Sequence, residues 1–169
     1  PSNMQGWGFK VPSQSLINFL TSRGETDRMA ATLLYRGTKT PEGDSIKKSC
    51  SNPVYNGKVY TPSSVNKWSY NGYAFDHNPR ILRYAEVLLM FAEAKAQGSS
   101  LGSSSGYSAQ SALNEVRARV RLSPVAASLE NIYDERRAEL AMEEDRFFDL
   151  IRTGRAATVL GPLGFSSGK

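Results

Sequence analysis

The stretch of residues 80–98, RILRYAEVLLMFAEAKAQG, places the strongest constraint on how this chain can fold. Between residues 81 and 96 it is apolar almost all the way round a helical wheel, so the helix must be surrounded by other elements. Its length and its charges rule out a bilayer span, so those neighbours must be protein. Asn78 and Pro79 supply a predicted cap and a first-turn proline, and Gly98 is predicted to end the helix.

Two further helices are predicted to pack on this one. Ser108 is a predicted N-cap for a helix that Pro124 closes, and a third helix is predicted over residues 128–153. Ser13 is the predicted N-cap of a short amphipathic helix nearer the start, and the apolar end of residues 26–35 is predicted as a strand. The inward positions of the third helix, by heptad-like spacing, are Leu129, Tyr133, Arg136, Leu140, Glu143, Phe147 and Leu150. A helix, a short loop and a second helix have the outline of a tetratricopeptide-type hairpin, so the fold class is mainly α.

Charged residues within these apolar helices predict a structural ion-pair lattice. Arg83, Glu86 and Glu93 lie at spacings of three and seven, which places them on one stripe of the first helix. A buried charge must be paired, or it costs several kcal/mol. We therefore expect an Arg/Glu lattice between the first and third helices. Its expected members are Arg83, Glu86, Glu93, Arg136, Glu143 and Arg146.

Residues 36–78 differ from the helical stretches and are predicted to be a display region of loops and β-hairpins. They are rich in Gly, Pro, Ser, Asn, Lys and Tyr, and they are too long for a passive connector. Asn56-Gly57 and Asn71-Gly72 are both hairpin signals. A two-residue turn at the second pair places four aromatic side chains on one face of the hairpin. These side chains are Trp68, Tyr70, Tyr73 and Phe75.

The four aromatic side chains have two interpretations. They can pack on the helices as a satellite core, or part of the face can stay exposed as a stacking platform for a ligand. The candidate ligand-binding residues are Trp68, Tyr70 and Tyr73, and Tyr55 and Tyr60, which flank the first predicted hairpin, could extend the platform.

The residue pattern argues against several other function classes. Glu139, Glu143 and Asp149 of the third helix each lie three positions from an arginine, and guanidinium neighbours lower carboxyl pKa values, the reverse of what a general acid requires. No zinc spacing, phosphate-binding loop or histidine-based triad occurs, so we expect no enzyme activity, metal or cofactor. The net charge is +5, but the positive residues are scattered, so no nucleic-acid partner is expected. Cys50 is the single cysteine and permits no internal disulfide.

Three blocks together resemble the C-terminal portion of the SusD/RagB family, the outer-membrane nutrient-binding lipoproteins of Bacteroidetes. They are RYAEVLLMFAEA (83–94), ALNEVRARV (112–120) and ERRAELAMEEDRFFDLIRTG (135–154), and the segments 12–20 and 27–28 resemble the family's lead-in to them. The resemblance implies a SusD-like helical fold with tetratricopeptide-like hairpins plus an irregular loop and β-hairpin region. It also implies that the matching residues are scaffold. These are Arg83, Glu86, Glu93, Glu135, Arg136, Arg137, Glu139, Arg146, Asp149 and Arg152.

The function implied by the resemblance is non-enzymatic glycan uptake at the cell surface. Family members bind oligosaccharides or polysaccharides on the outer face of the outer membrane and deliver them to a SusC-like TonB-dependent transporter. Their only contact with the membrane is an N-terminal lipid anchor, which residues 1–169 do not include. The chain is accordingly expected to be a single C-terminal segment of a longer polypeptide, with a loop region at 36–78 and a helical signature region at 79–154.

Two alternatives follow from the residues. A helical-repeat adaptor that binds protein or peptide would present an open, charged groove. A glycoside hydrolase would need two carboxyl groups roughly 5 to 10 Å apart and free of arginine partners. Whatever the function, three helices are too few to cover residues 81–96, so we expect an exposed apolar face on the first helix.

Overall fold

Helices dominate the computed structural model, which describes residues 9–64, 80–100 and 106–163. The fold is mainly α, as expected from the sequence. The α-helices within the described residues are α1 (Gln14–Ser22), α2 (Thr26–Thr32), α3 (Tyr84–Ala96), α4 (Ala109–Arg119), α5 (Leu129–Glu139), α6 (Arg146–Arg152) and α7 (Ala156–Leu160). Strand β1 (Leu33–Tyr35) pairs antiparallel with β2 (Val54–Asn56), and 3-10 turns cover Gly57–Val59 and Gly161–Leu163.

The larger apolar core lies where α3 packs against α4 and α5. Its fully buried side chains include Leu89 of α3, Leu113 of α4 and Ile132 of α5. The Ser108 hydroxyl accepts a hydrogen bond from the Ser111 amide at 3.0 Å, which confirms the predicted N-cap of α4. The core therefore holds α3, α4 and α5 together as one helical unit.

A second core joins the beginning of the chain to the end of α5. Leu16 and Leu20 of α1 pack with Leu33 and Val54 of the strand pair and with Ala138 of α5. The predicted cap at Ser13 is confirmed, since its hydroxyl accepts a hydrogen bond from the Leu16 amide at 3.3 Å. The predicted strand at the apolar end of residues 26–35 is also confirmed, as β1.

The prediction of one continuous third helix is wrong. Helix α5 ends at Glu139 and α6 begins at Arg146, because Met142 and Glu144 adopt left-handed backbone conformations with φ of 66° and 77°. Positions counted at helical spacing across that break therefore do not predict which side chains are buried. Phe147, predicted to face inward, is accordingly 56% exposed.

Two predicted local signals near α3 and β2 also differ in the structure. Helix α3 begins at Tyr84, with Arg83 as its cap residue, so the helix starts later than the predicted cap at Asn78. Asn56-Gly57 does not close a hairpin. The Asn56 side chain instead accepts a hydrogen bond from the Lys58 amide at 2.9 Å and caps the 3-10 turn, while β2 pairs with the distant β1. The second predicted turn, Asn71-Gly72, lies outside the described residues.

One face of α3 is apolar and exposed. Tyr84, Val87 and Met90 follow one another at a spacing of three, and Val87 and Met90 are 40% and 43% exposed. We call these three residues the outer face of α3. The apolar surface expected on this helix is therefore present.

Candidate functional site

The most concentrated chemistry in the described residues is a buried network of arginines and carboxylates. At its centre the Arg28 guanidinium donates hydrogen bonds to three acids: Glu25 at 2.6 Å, Glu135 at 2.5 Å and Glu139 at 2.9 Å. All four side chains are almost fully buried. Opposite charges satisfy one another there, which is the condition for keeping ionised groups out of water.

Glu135 receives two further guanidinium groups. Arg23 and Arg117 each donate a hydrogen bond to Glu135 Oε2 at 2.8 Å, so three arginines surround this carboxylate. The network thus connects α2, α4 and α5 with the residue that follows α1. Sequence analysis did not identify Glu25, Arg23 or Arg117 as network residues, since only the three-dimensional fold brings them to the Arg/Glu blocks.

Arg83 extends this network to the beginning of α3. Its guanidinium donates to Glu139 Oε1 at 2.9 Å and to Glu143 Oε2 at 2.7 Å, and Lys58 lies 2.5 Å from Glu143 Oε1. Burial alone would raise the pKa of Glu139. The hydrogen bond from Arg83 and the charges of Arg28 and Arg119 have the opposite and larger combined effect, so the pKa lies below its ordinary value. Glu139 is therefore held in its ionised form.

The other lattice residues form pairs that link α3, α5 and α6. Arg136 lies 3.0 Å from Asp149 and 3.6 Å from Glu86, which joins α5 to both α6 and α3. Arg152 contacts Glu93 of α3 at 2.5 Å. Arg146 differs, because none of the carboxylates in the described residues lies within 4.0 Å of its guanidinium.

The network has the properties of a scaffold. Its carboxylates accept hydrogen bonds from guanidinium groups, and such neighbours favour the ionised form over the neutral form that donates a proton in acid catalysis. Within residues 9–64, 80–100 and 106–163, no group of His, Cys, Asp and Glu side chains could hold a metal ion. The arrangement therefore holds the helices in position relative to one another.

A hydrogen-bonded cluster around Asp44 organises the described part of the display region. The Asp44 carboxylate accepts hydrogen bonds from the Ser63 amide at 2.7 Å, from the Ser63 hydroxyl and from the Tyr60 hydroxyl. The bonds from Ser63 make the largest contribution to lowering the pKa of Asp44. Burial, followed by the bond to Asp44, raises the pKa of Tyr60. The cluster ties residues 40–44 to residues 60–63.

The five candidate ligand-binding residues fall into two groups. Tyr55 and Tyr60 are half-buried, and their hydroxyls are used within the loop: Tyr55 accepts from the Asn52 amide at 3.0 Å, and Tyr60 bonds to Asp44 and to Thr40. Trp68, Tyr70 and Tyr73 lie outside the described residues.

Comparisons of the sequence and of the fold with known proteins point to the same family. A sequence profile described as the SusD family matches residues 1–163. The chain is similar to a laminarin binding SusD-like protein, with 30% identity and a TM-score of 0.74, over 99% of this chain and 35% of that one. It is also similar to surface glycan-binding protein A from Bacteroides thetaiotaomicron, solved in complex with laminarihexaose, with 29% identity and a TM-score of 0.72, over 92% of this chain and 34% of that one.

A SusD superfamily protein from Bacteroides vulgatus ATCC 8482 shares the fold at 19% identity, with a TM-score of 0.63, over 92% of this chain and 36% of that one. The chain thus spans about a third of the length of these solved structures. A search among curated proteins returned no match. Within the described part of the chain, none of the helices has the length and apolar character needed to cross a membrane.

Proposed function

The chain belongs to the SusD family, and on this basis we propose that it is part of a non-enzymatic protein that binds glycans at the cell surface. The match of the family profile over residues 1–163 is the observation that carries the proposal. The similarity to surface glycan-binding protein A, solved with laminarihexaose, supports an oligosaccharide as the class of ligand. The location we propose is the outer face of the outer membrane of a Bacteroidetes bacterium, reached through an N-terminal lipid anchor.

We further propose that the bound glycan passes to a SusC-like TonB-dependent transporter. The division of the chain between a rigid ionic scaffold and a loop region suits such a role, because a carrier must hold its ligand without reacting with it. Co-purification of the transporter with the full-length protein from its native membrane tests this step. Failure of the two to co-purify under conditions that preserve glycan binding would contradict it.

The ligand contacts that we propose are aromatic side chains of the display region. Trp68, Tyr70 and Tyr73 are the primary candidates, since a two-residue turn at Asn71-Gly72 would place them on one face. Aromatic rings stack on the apolar faces of sugar rings, and tyrosine and tryptophan add a polar tip for hydrogen bonds to hydroxyls. The rings of Tyr55 and Tyr60 would extend this surface, with their hydroxyls retained in the loop.

The experiment that tests this function measures retardation of the full-length parent protein in native gels that contain different polysaccharides, laminarin among them. Trp68→Ala and Tyr70→Ala should each abolish retardation by the glycan that the unaltered protein binds, without loss of the helical circular dichroism signal. Tyr35→Ala is the matched control, because Tyr35 is exposed on β1, outside the display region, and its removal should leave retardation unchanged.

Each outcome discriminates between the function classes considered above. If both variants are still retarded, glycan binding is supported, but the aromatic side chains are not the ligand contacts and instead pack on the helices. Release of reducing sugar during the assay would overturn the non-enzymatic assignment. Retardation by none of the polysaccharides would contradict glycan binding and favour a helical-repeat adaptor that binds protein or peptide.

A further inference from the structure

A cavity of about 500 Å³ lies between the beginning of α1, the end of α5, and helices α6 and α7. Among the described residues, its walls are mainly aliphatic and include no aromatic ring. The apolar side chains that line it include Val11, Leu16, Leu140, Met142, Leu150 and Leu160. Its volume is within the range of roughly 300 to 1,000 Å³ typical of small-molecule sites. None of its described lining residues belongs to the display region.

Positive charge predominates along the polar part of the cavity wall. Of the residues that the structure describes, four cationic and two anionic side chains line it: Lys10, Arg136, Arg137, Arg146, Glu144 and Asp149. Glu144 is paired with Lys10, and Asp149 is shared by Arg136 and Arg152. Both carboxylates of the wall are therefore already used in ion pairs, and Arg137 and Arg146 have no acidic partner there.

The two remaining arginines are half-buried without a paired acid. Arg137 donates to the Ser15 hydroxyl at 3.1 Å and stacks on the Phe19 ring at 4.0 Å, and like Arg146 it has no carboxylate of the described residues within 4.0 Å. Burial and the nearby charges of Arg137 and Arg155 lower the pKa of Arg146, against the weaker attraction of Asp149 and Asp134. Two half-buried guanidinium groups that repel each other are stabilised by any anion placed beside them.

Arg136 also lies in this wall, but its charge is already paired. Its side chain is 5% exposed, and its Nε and Nη2 atoms face Asp149 and Glu86. Its Nη1 atom has no hydrogen-bond partner among the described residues, but it is buried and does not offer a donor to the cavity. The positive charge available to a ligand is therefore that of Arg137 and Arg146.

We propose that this cavity binds a small amphiphilic anion, with a carboxylate or sulfate group held by Arg137 and Arg146 and an aliphatic body against the leucine-rich wall. Guanidinium groups suit such oxyanions, because their planar donors match the two oxygens. The aliphatic wall distinguishes this ligand from a sugar, which would expose hydroxyls to side chains that cannot hydrogen-bond to them. The site is independent of the proposed glycan function, and each can fail without the other.

Calorimetric titration of the full chain with three probes tests the proposal. The probes are octanoate, which has both features, octanol, which lacks the charge, and sulfate, which lacks the aliphatic body. Octanoate should bind at least about tenfold more tightly than either of the others, since a hydrogen bond to a charged group contributes about 1.5 to 3 kcal/mol. This comparison uses the unaltered protein, so it does not depend on whether a variant folds.

Substitutions then locate the site. Arg146→Gln and Arg137→Gln should each weaken octanoate binding by about tenfold or more and leave octanol unchanged. Arg121→Gln is the matched control, because Arg121 is exposed, lies outside the cavity and pairs with Asp27, and it should leave octanoate binding unchanged. Equal binding of octanoate and octanol, equal binding of octanoate and sulfate, or octanoate binding that both cavity variants retain would each overturn the proposal.

Discussion

At the scale of single residues, Glu139 of α5 connects its helix to three other parts of the chain. Its carboxylate accepts hydrogen bonds from Arg28 of α2, from Arg83 before α3 and from Arg119 of α4. The side chain is almost fully buried, so these bonds replace water entirely. Loss of the Glu139 charge would leave buried guanidinium groups with reduced compensation, which costs about 3 to 5 kcal/mol in comparable buried pairs.

The lowered pKa of Glu139 predicts how stability depends on pH. Its folded pKa lies below its ordinary value of 4.5, so its contribution is fully present above that pH and is lost as pH falls through the folded pKa. We expect the free energy of unfolding, measured with urea, to fall as pH is lowered below about 4.5. Glu139→Gln should have a lower free energy of unfolding than the unaltered protein at pH 7. Its free energy of unfolding should also decrease less as the pH is lowered.

Glu144→Gln is the control for that measurement, since Glu144 is exposed and pairs only with an exposed lysine. It should keep both the stability at pH 7 and the full pH dependence. If Glu139→Gln retained the pH dependence of the unaltered protein, the charge of Glu139 would not be a source of acid sensitivity.

Prediction of these residues from sequence was limited by distance along the chain. Arg83, Glu86, Arg136 and Glu143 stand out because a charge at a helical position otherwise occupied by apolar side chains requires a partner. Glu25 carries no such signal, because it lies in a short turn between α1 and α2 and is buried only when α5 covers it. Trp68, the first candidate of the aromatic platform, remains a prediction.

At the scale of elements, the close contact between the 3-10 turn Gly57–Val59 and α2 depends on a glycine. A Cβ atom on Gly57 would lie 2.3 Å from the Ala31 backbone oxygen, far inside contact distance. The neighbouring element is backbone, so it cannot rotate away as a side chain would. The turn and the strand pair before it must therefore move if any side chain is added here.

Gly57→Ala should consequently destabilise the protein by about 1 to 3 kcal/mol, the usual cost of inserting a carbon into packed structure. Gly161→Ala provides a matched control, because nothing lies within 4 Å of a Cβ added there and its φ is compatible with alanine. The urea midpoint should fall for the first variant only. Equal midpoints for the two variants would show that the turn can move away from α2 without cost.

Local sequence signals predicted elements best where tertiary contacts did not compete with them. Serine caps at Ser13 and Ser108 act within four residues of themselves and were read correctly. Asn56-Gly57 is a strong hairpin signal, but β2 finds its partner in β1, about twenty residues earlier, and the glycine serves the contact with α2 instead. The break between α5 and α6 at Met142 could not be predicted in this way, because no glycine or proline lies there.

At the scale of the whole molecule, the outer face of α3 is an uncovered apolar surface on a helix whose opposite side forms the main core. Tyr84, Val87 and Met90 remain exposed although α4 and α5 cover Leu88 and Leu89. A soluble chain rarely leaves such residues contiguous. This surface is available to apolar molecules in the 169-residue chain.

The uncharged dye Nile red, which fluoresces on apolar surfaces, measures this directly. The double variant Val87→Gln/Met90→Gln should lose at least about half of the dye fluorescence of the unaltered chain, because two of the three side chains become polar. Val59→Gln, which changes an exposed apolar residue outside both the outer face of α3 and the cavity, should change the signal little. Fluorescence unchanged in the double variant would mean that the dye binds elsewhere.

The ion network also determines the order in which the chain can assemble. Arg28 is separated from Glu135 by 107 positions and from Glu139 by 111, so these bonds form only after nearly the whole chain has come together. Helices α3, α4 and α5 are near neighbours and can associate early, whereas the network closes a very long loop. We therefore expect the slow step of folding to be the docking of α1 and α2 onto the unit formed by α3, α4 and α5, with several charges losing their water at once.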